Sequence, residues 1–282
     1  MKSINHLVLA GRDLLAMREV YERLGFTLTA QGQHPFGTGN IIIQLHGTYL
    51  ELLSVTKPRD VIEHAPGEFS FSAFNRDYLA RHEGFSMLVL GTSDARADRA
   101  AWKTAGLQTY APFDFSRQAR MPDGEDVTVG FSLAFVSHPQ APWLGLFACQ
   151  HFRPQYYEQE KFLTHANGAH SVREVWICGE GARDLAGYIS TAAASSAVPV
   201  SAGRTNIATT TGTIVLARDE EFRRVFGVAP PHPQDGPHLA GLVIGCLGLD
   251  RLPKSDLVKH NGHWVVPPDR AFGTAMVFTG TQ

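Results

Sequence analysis

Ile4-Asn5-His6-Leu7-Val8-Leu9-Ala10 is followed by Asp13, then by Leu14, Met17, Val20, Tyr21 and Leu24 at helical spacing, then by Gly25. The first seven residues alternate and are rich in branched side chains, which predicts a strand. Asp13 supplies an N-cap and Gly25 a stop, so a helix lies between them. Phe26 to Thr29 is predicted as a second strand, Ile41 to Leu45 as a third and Tyr49 to Val55 as a fourth, with His46-Gly47-Thr48 as a tight hairpin connection between the last two. The resulting order, β-α-β-β-β, decides the fold.

The same order recurs downstream. Phe85 to Leu90 predicts a strand, Ser93 and Asp94 cap a helix with Ala97, Ala101, Trp102 and Ala105 on one face, and Gly106-Leu107 ends it as Gly25-Phe26 ended the first. Strands follow at Val127 to Val136 and Leu144 to Gln150. A third unit begins at Val172 to Cys178, with a helix over Ala182 to Ala193 and a strand at Thr213 to Ala217. A fourth begins at Leu239 to Leu249, has no helix beyond the stretch Arg251 to Val258, turns at Asn261-Gly262 and ends in a strand at Thr274 to Phe278. Units of this kind must pair to bury both faces of their sheets. The expected class is therefore α+β, with paired βαβββ modules in two tandem domains, 1–152 and 169–282, joined by a polar stretch from Arg153 to Gly168.

Composition agrees with a packed globular chain: of 282 residues, 44% are hydrophobic and 18% charged. Lys and Arg number 25 against 27 Asp and Glu, so no basic field exists for general nucleic-acid binding. No apolar run approaches the length of about 18 residues that a membrane helix needs. The N-terminus reads as a strand and not as a signal peptide. Cys149, Cys178 and Cys246 are far apart, odd in number and not in a CxxC spacing, so neither a disulfide framework nor a structural zinc site is expected, and the expected setting is cytoplasmic. A phosphate loop with its Lys, an HExxH and a GxSxG are all missing from the sequence.

Ile4-Asn5-His6-Leu7-Val8-Leu9, Asp13-Leu14, Leu24-Gly25-Phe26, the stretch His34-Pro35-Phe36-Gly37-Thr38-Gly39-Asn40 and Tyr49-Leu50-Glu51-Leu52 together resemble the glyoxalase-like branch of the vicinal oxygen chelate superfamily. Phe147-Ala148-Cys149-Gln150-His151 followed by His165-Ala166-Asn167-Gly168-Ala169 resembles two-domain members of that branch. The resemblance covers roughly residues 3 to 178. It implies a cleft between two paired units, with a divalent metal (Zn, Fe, Mn or Ni), where one is bound, held from the first and last strands of each unit. By position those residues are His6 and Glu51 in the first unit and Ser86 and Gln150 in the second. His6 and Glu51 are good ligand types, Gln150 a weaker one, and Ser86 a poor one. The expected metal set is His6, Glu51 and Gln150. Ser86 is expected to touch substrate, together with His34 and Asn40, which border the cleft. A one-residue slip in the second unit would bring Cys149 or His151 into the cleft in place of Gln150.

Several functions follow from that resemblance. A metal on His6 and Glu51 would act as a Lewis acid in a lyase or isomerase. Glu51 would instead be a catalytic base if an apolar cleft raises its pKa. An extradiol dioxygenase needs two histidines and a carboxylate, and only one histidine is in place. A metal-free protein that binds or sequesters a small molecule is the alternative that Ser86 and Gln150 favour. The expected partners are a small-molecule ligand and a second copy in a homodimer, with neither nucleic acid nor membrane. In the third unit Glu174 aligns with His6, but its counterparts near Val215, Leu216, Gly241, Met276 and Val277 cannot hold a metal, so the second half is expected to be catalytically empty. His165, His170, His232, His238, His260 and His263 are expected to be structural or solvated, and Arg218-Asp219-Glu220-Glu221 to form a solvated face.

Overall fold

A computed structural model describes residues 1–120, 124, 126–156 and 159–280. The first half supplies β1 (Ile4–Ala10), α1 (Leu14–Arg23), β2 (Gly32–Gln33), β3 (Thr38–Leu45), β4 (Thr48–Val55), α2 (Phe71–Arg81), β5 (Gly84–Thr92), α3 (Ala95–Thr104), β6 (Gln108–Thr109), β7 (Phe113–Arg120), β8 (Asp126–Ser137) and β9 (Gly145–His151). The second half supplies β10 (Ala169–Cys178), α4 (Ala186–Ala193), β11 (Ala197–Ser201), β12 (Arg204–Ala208), β13 (Thr213–Ala217), α5 (Asp219–Phe226), β14 (His238–Cys246), β15 (Val258–His260), β16 (His263–Val266) and β17 (Ala275–Gly280).

Two sheets result, and each joins two units at their first strands. In the first sheet the order is β2-β3-β4-β1-β5-β9-β8-β6, with β7 paired to β8 alone; in the second it is β11-β12-β13-β10-β14-β17-β16-β15. Within each unit the first and last strands are parallel, β1 with β4 and β5 with β9, while β1 meets β5 antiparallel. This is the paired βαβββ architecture predicted from the repeat.

Alternation along the strands divides the interior. Leu7, Leu9, Leu50, Leu52, Leu88 and Leu90 point to one side of the first sheet, into a core shared with α1, α3, α4 and the second sheet. Val8, Leu53, Met87, Val89, Phe147 and Cys149 point to the other side. The stretch joining the halves is polar in sequence yet partly buried. His165 Nδ1 accepts from Thr27 N at 3.0 Å and its Nε2 donates to the Gln44 carbonyl at 2.7 Å, while Asn167 Nδ2 donates to the Leu24 carbonyl at 2.8 Å. Residues 157 and 158 of this stretch lie outside the described residues.

One local expectation is corrected, and two helices lie outside the predicted elements. Phe26 to Thr29 is not a strand: Phe26 N bonds back to the Tyr21 carbonyl and Thr27 N is taken by His165, so these donors do not enter a ladder. Helix α2 has no predicted counterpart. It is capped by Ser70, whose hydroxyl accepts from Ala73 N, and Phe71, Ser72, Ala73, Phe74, Asn75, Tyr78 and Leu79 are all buried, so no single apolar stripe marks it. The acidic run Asp219-Glu220-Glu221 is the first turn of α5, where negative charge favours the helix dipole, and Gly227 closes that helix at φ 70°.

Helix α5 also fills the groove of the second sheet. Phe222 and Phe226 stack at 4.0 Å and meet Trp176 at 6.1 and 5.5 Å. A Cβ at position 241 would lie 2.8 Å from the Phe226 ring, so Gly241 is what lets the ring seat. No helix of the described residues is long and apolar enough to cross a membrane.

Candidate functional site

The first sheet keeps its groove open. A cavity of about 1410 Å³ lies on the face opposite the shared core. His6 on β1 and Glu51 on β4 project into it because they share the parity of Val8 and Leu53. Both are only 5% exposed. His34 and Asn40 reach the same place from the segment before β3 and from β3 itself.

Three of these side chains, His34, Asn40 and Glu51, form one hydrogen-bonded cluster, and His6 stands in contact beside Glu51. Asn40 Nδ2 donates to Glu51 Oε1 at 2.6 Å and lies 3.3 Å from His34 Nε2. His34 Nε2 is therefore the acceptor in that pair, and its Nδ1 donates to Thr38 Oγ1 at 2.8 Å. On the other side His6 Nε2 lies 3.6 Å from Glu51 Oε2. His6 Nδ1 donates to Asn5 Oδ1 at 2.7 Å, which leaves Nε2 with its lone pair toward Glu51. Asn5 Oδ1 also receives His151 Nε2 at 3.1 Å.

Burial sets the charges. It raises the Glu51 carboxyl to about 7, against a smaller downward pull from the Asn40 hydrogen bond and the Arg117 charge. It holds His6 well below the usual imidazole range, His34 at about 3 and His151 at about 4. At neutral pH the three rings are neutral, and Glu51 is poised between its acid and its base form.

Not all the expected residues join this cluster. Ser86 is fully buried away from the cavity. Its hydroxyl donates to Asn75 Oδ1 at 2.8 Å and so fastens α2. The β1–β5 ladder passes from Val8↔Met87 to Leu9↔Phe85, so Ser86 is skipped as a bulge and Met87 takes the cleft-facing place. Gln150 borders the cavity, but its amide oxygen accepts from Ala95 N at 3.2 Å, at the start of α3, and not from the His6–Glu51 side. Its neighbours Cys149 and His151 line the cavity as well.

The donor set does not fit a resident divalent ion. Such an ion needs about three converging protein ligands. Among the described residues no three His, Cys, Asp or Glu side chains are placed to share one. His6 and His34 both flank Glu51, at 3.6 and 3.7 Å, but Asn40 engages His34 Nε2 and Glu51 Oε1, and the facing strands offer Met87, Val89, Phe147 and Cys149. Burial and the nearby Glu51 charge hold the Cys149 thiol well above its usual range, so it is no thiolate.

The rest of the cavity wall was not foreseen. Phe36, Phe71, Phe115, Phe131 and Phe147 line it, with Phe115 stacked on Phe131 at 4.6 Å and edge-on to Phe36 at 5.1 Å. Phe115 comes from β7, which carries Phe113, Phe115 and Arg117 with the same parity and brings Arg117 to the cavity. The alternation of Phe113-Asp114-Phe115-Ser116-Arg117 is the sequence signal for this strand.

Residues 4–192 match the family described as glyoxalase-like domain. No curated protein sequence matches the chain. Among solved structures it is similar to a hypothetical protein from Staphylococcus aureus, with a TM-score of 0.72 and 13% identity over 100% of both chains. It is also similar to a 4-hydroxymandelate synthase mutant from Streptomyces coelicolor, with a TM-score of 0.55 and 12% identity over 99% of this chain and 92% of that one. A third is the Mn(II)-bound glyoxalase from Novosphingobium aromaticivorans, with a TM-score of 0.53 and 10% identity over 99% and 83%. At these identities the likeness speaks for the fold alone. The chain thus belongs to the glyoxalase-like domain family and has the fold of the vicinal oxygen chelate superfamily.

Proposed function

We propose that the cleft of residues 1–152 binds a small organic molecule and that Glu51 serves there as a general base, removing a proton from a carbon next to a carbonyl. The observation that carries this reading is the buried Glu51 with a pKa of about 7, hydrogen-bonded to Asn40 inside an open cavity. A base works best when its pKa lies near the working pH. In the forward step a Glu51 carboxylate oxygen takes the proton and the C–H electron pair moves to the carbonyl oxygen as an enolate. Return of a proton to the same carbon completes a proton exchange or an epimerisation without any co-reactant. His6 Nε2, unprotonated and 3.6 Å away, is the group able to accept a hydrogen bond from protonated Glu51 after a small closure. The half comprising 169–282, whose groove α5 fills, would serve packing and not chemistry.

Metal-free sequestration is the second reading, favoured by the six phenylalanines around the cavity. One experiment separates the two. EDTA-treated protein is incubated in D₂O with 4-oxo-4-phenylbutanoate, and deuterium entry beside the ketone is followed by NMR. The base reading expects catalysed exchange that falls on the order of 10² to 10⁴-fold in Glu51→Gln. Binding with no exchange above the buffer rate supports sequestration, and equal exchange in Glu51→Gln overturns the base.

A further inference from the structure

We propose that the ligand of this cleft is a small monocarboxylate with an apolar body, and that Arg117 receives its carboxylate. The proposal rests on the cleft being a small-molecule site, as above. Arg117 stands on β7 opposite Val129, on a hairpin that leans over the first unit through Phe113 and Phe115 against Phe36. Its Nε is buried and has no hydrogen-bond partner among the described residues. An unsatisfied buried donor is costly, the more so on a charged group, and a ligand oxygen would satisfy it. A Cβ at Gly32 would lie 2.5 Å from Asn40 Oδ1 and 3.9 Å from Arg117 Cζ, so the guanidinium and the Asn40 amide border the same stretch of β2. The guanidinium charge is felt by both His34 and Glu51, so it acts on the cluster that would meet the substrate.

The chemical class follows from what surrounds Arg117. Its planar fork matches a carboxylate in two parallel hydrogen bonds. Phe71 and Phe131 supply the apolar wall for the remainder of the ligand. A single guanidinium balances one negative charge. A phosphate would bring up to two beside Glu51, with the second left to repel it.

Ligand-observed NMR on the full chain tests this with a series from phenylacetate to 6-phenylhexanoate, their methyl esters, and phenyl phosphate. At least one acid is expected to bind about ten-fold more tightly than its ester. Arg117→Gln should erase that preference and Arg117→Lys should keep part of it, with thermal melts showing that both variants fold. Equal affinity of every acid and its ester overturns the proposal. So does the lack of any binding up to about 10 mM, a preference that survives Arg117→Gln, or tighter binding of phenyl phosphate than of every acid. Exchange at 4-oxo-4-phenylbutanoate and at its ester alike, with no preference for the acid, sinks the carboxylate and spares the base. A preference for the acid without exchange does the reverse.

Discussion

His6 Nε2 lies 3.6 Å from Glu51 Oε2, and burial drives both groups toward their neutral forms. The pair is therefore not an ion pair at neutral pH: His6 is neutral, and Glu51 is divided between a carboxylate and an acid that faces an acceptor. The folded-state pKa of Glu51, about 7, stands above its ordinary 4.5. The folded protein then holds a proton that the unfolded chain releases, and stability is lost as pH rises from 4.5 toward 7. Glu51→Gln removes this dependence. Denaturant melts should show the variant gaining on the wild type between pH 4.5 and 8 by an amount on the order of 2–3 kcal/mol, with the gap flat below that window.

Two neighbours favour the charged form of Glu51, one by a hydrogen bond and one by its positive charge. Asn40→Ala removes the bond and Arg117→Gln removes the charge, so each should raise the Glu51 pKa. The acidic limb of the exchange rate against pH should move upward in both variants. A downward move in either would show that the neighbour acts otherwise.

Ser86 separates the sequence expectation from the structure. As a buried donor to Asn75 it supports α2, so Ser86→Ala should destabilise the fold by about 1–3 kcal/mol. Ligand affinity, measured on the same samples, should be unchanged.

Phe222 is the plug of the second groove, fully buried against Phe226 and Trp176. Phe222→Ala should cost about 3–5 kcal/mol in chemical denaturation. Exchange by the folded fraction should persist, because the first groove does not depend on this ring.

The sequence made the fold legible through its repeats: a capped amphipathic helix ending at Gly25 returned with the same punctuation at Gly106. His6 and Glu51 were legible as cleft candidates because the resemblance places both on matching strands and they share the parity of Val8 and Leu53. Ser86 was misplaced because a bulge cannot be seen in a single strand, only in the pairing of two. Gln150 shares the parity of Ala148 and Leu146, which face the shared core, so counting from the wrong neighbour put it across from His6. Arg117 lay hidden for a different reason. Its strand pairs with β8 alone, and only the lean of that hairpin brings it near Glu51.

The protonation of Glu51 itself is the most direct test. Protein labelled with ¹³C at the glutamate side-chain carboxyl can be titrated by NMR, with the Glu51 resonance assigned by its loss in Glu51→Gln. A midpoint near 7 in the ligand-free protein is expected, well above the other glutamates. A midpoint near the ordinary 4.5 would mean that Glu51 is a plain carboxylate at neutral pH, and would contradict its role as a poised base.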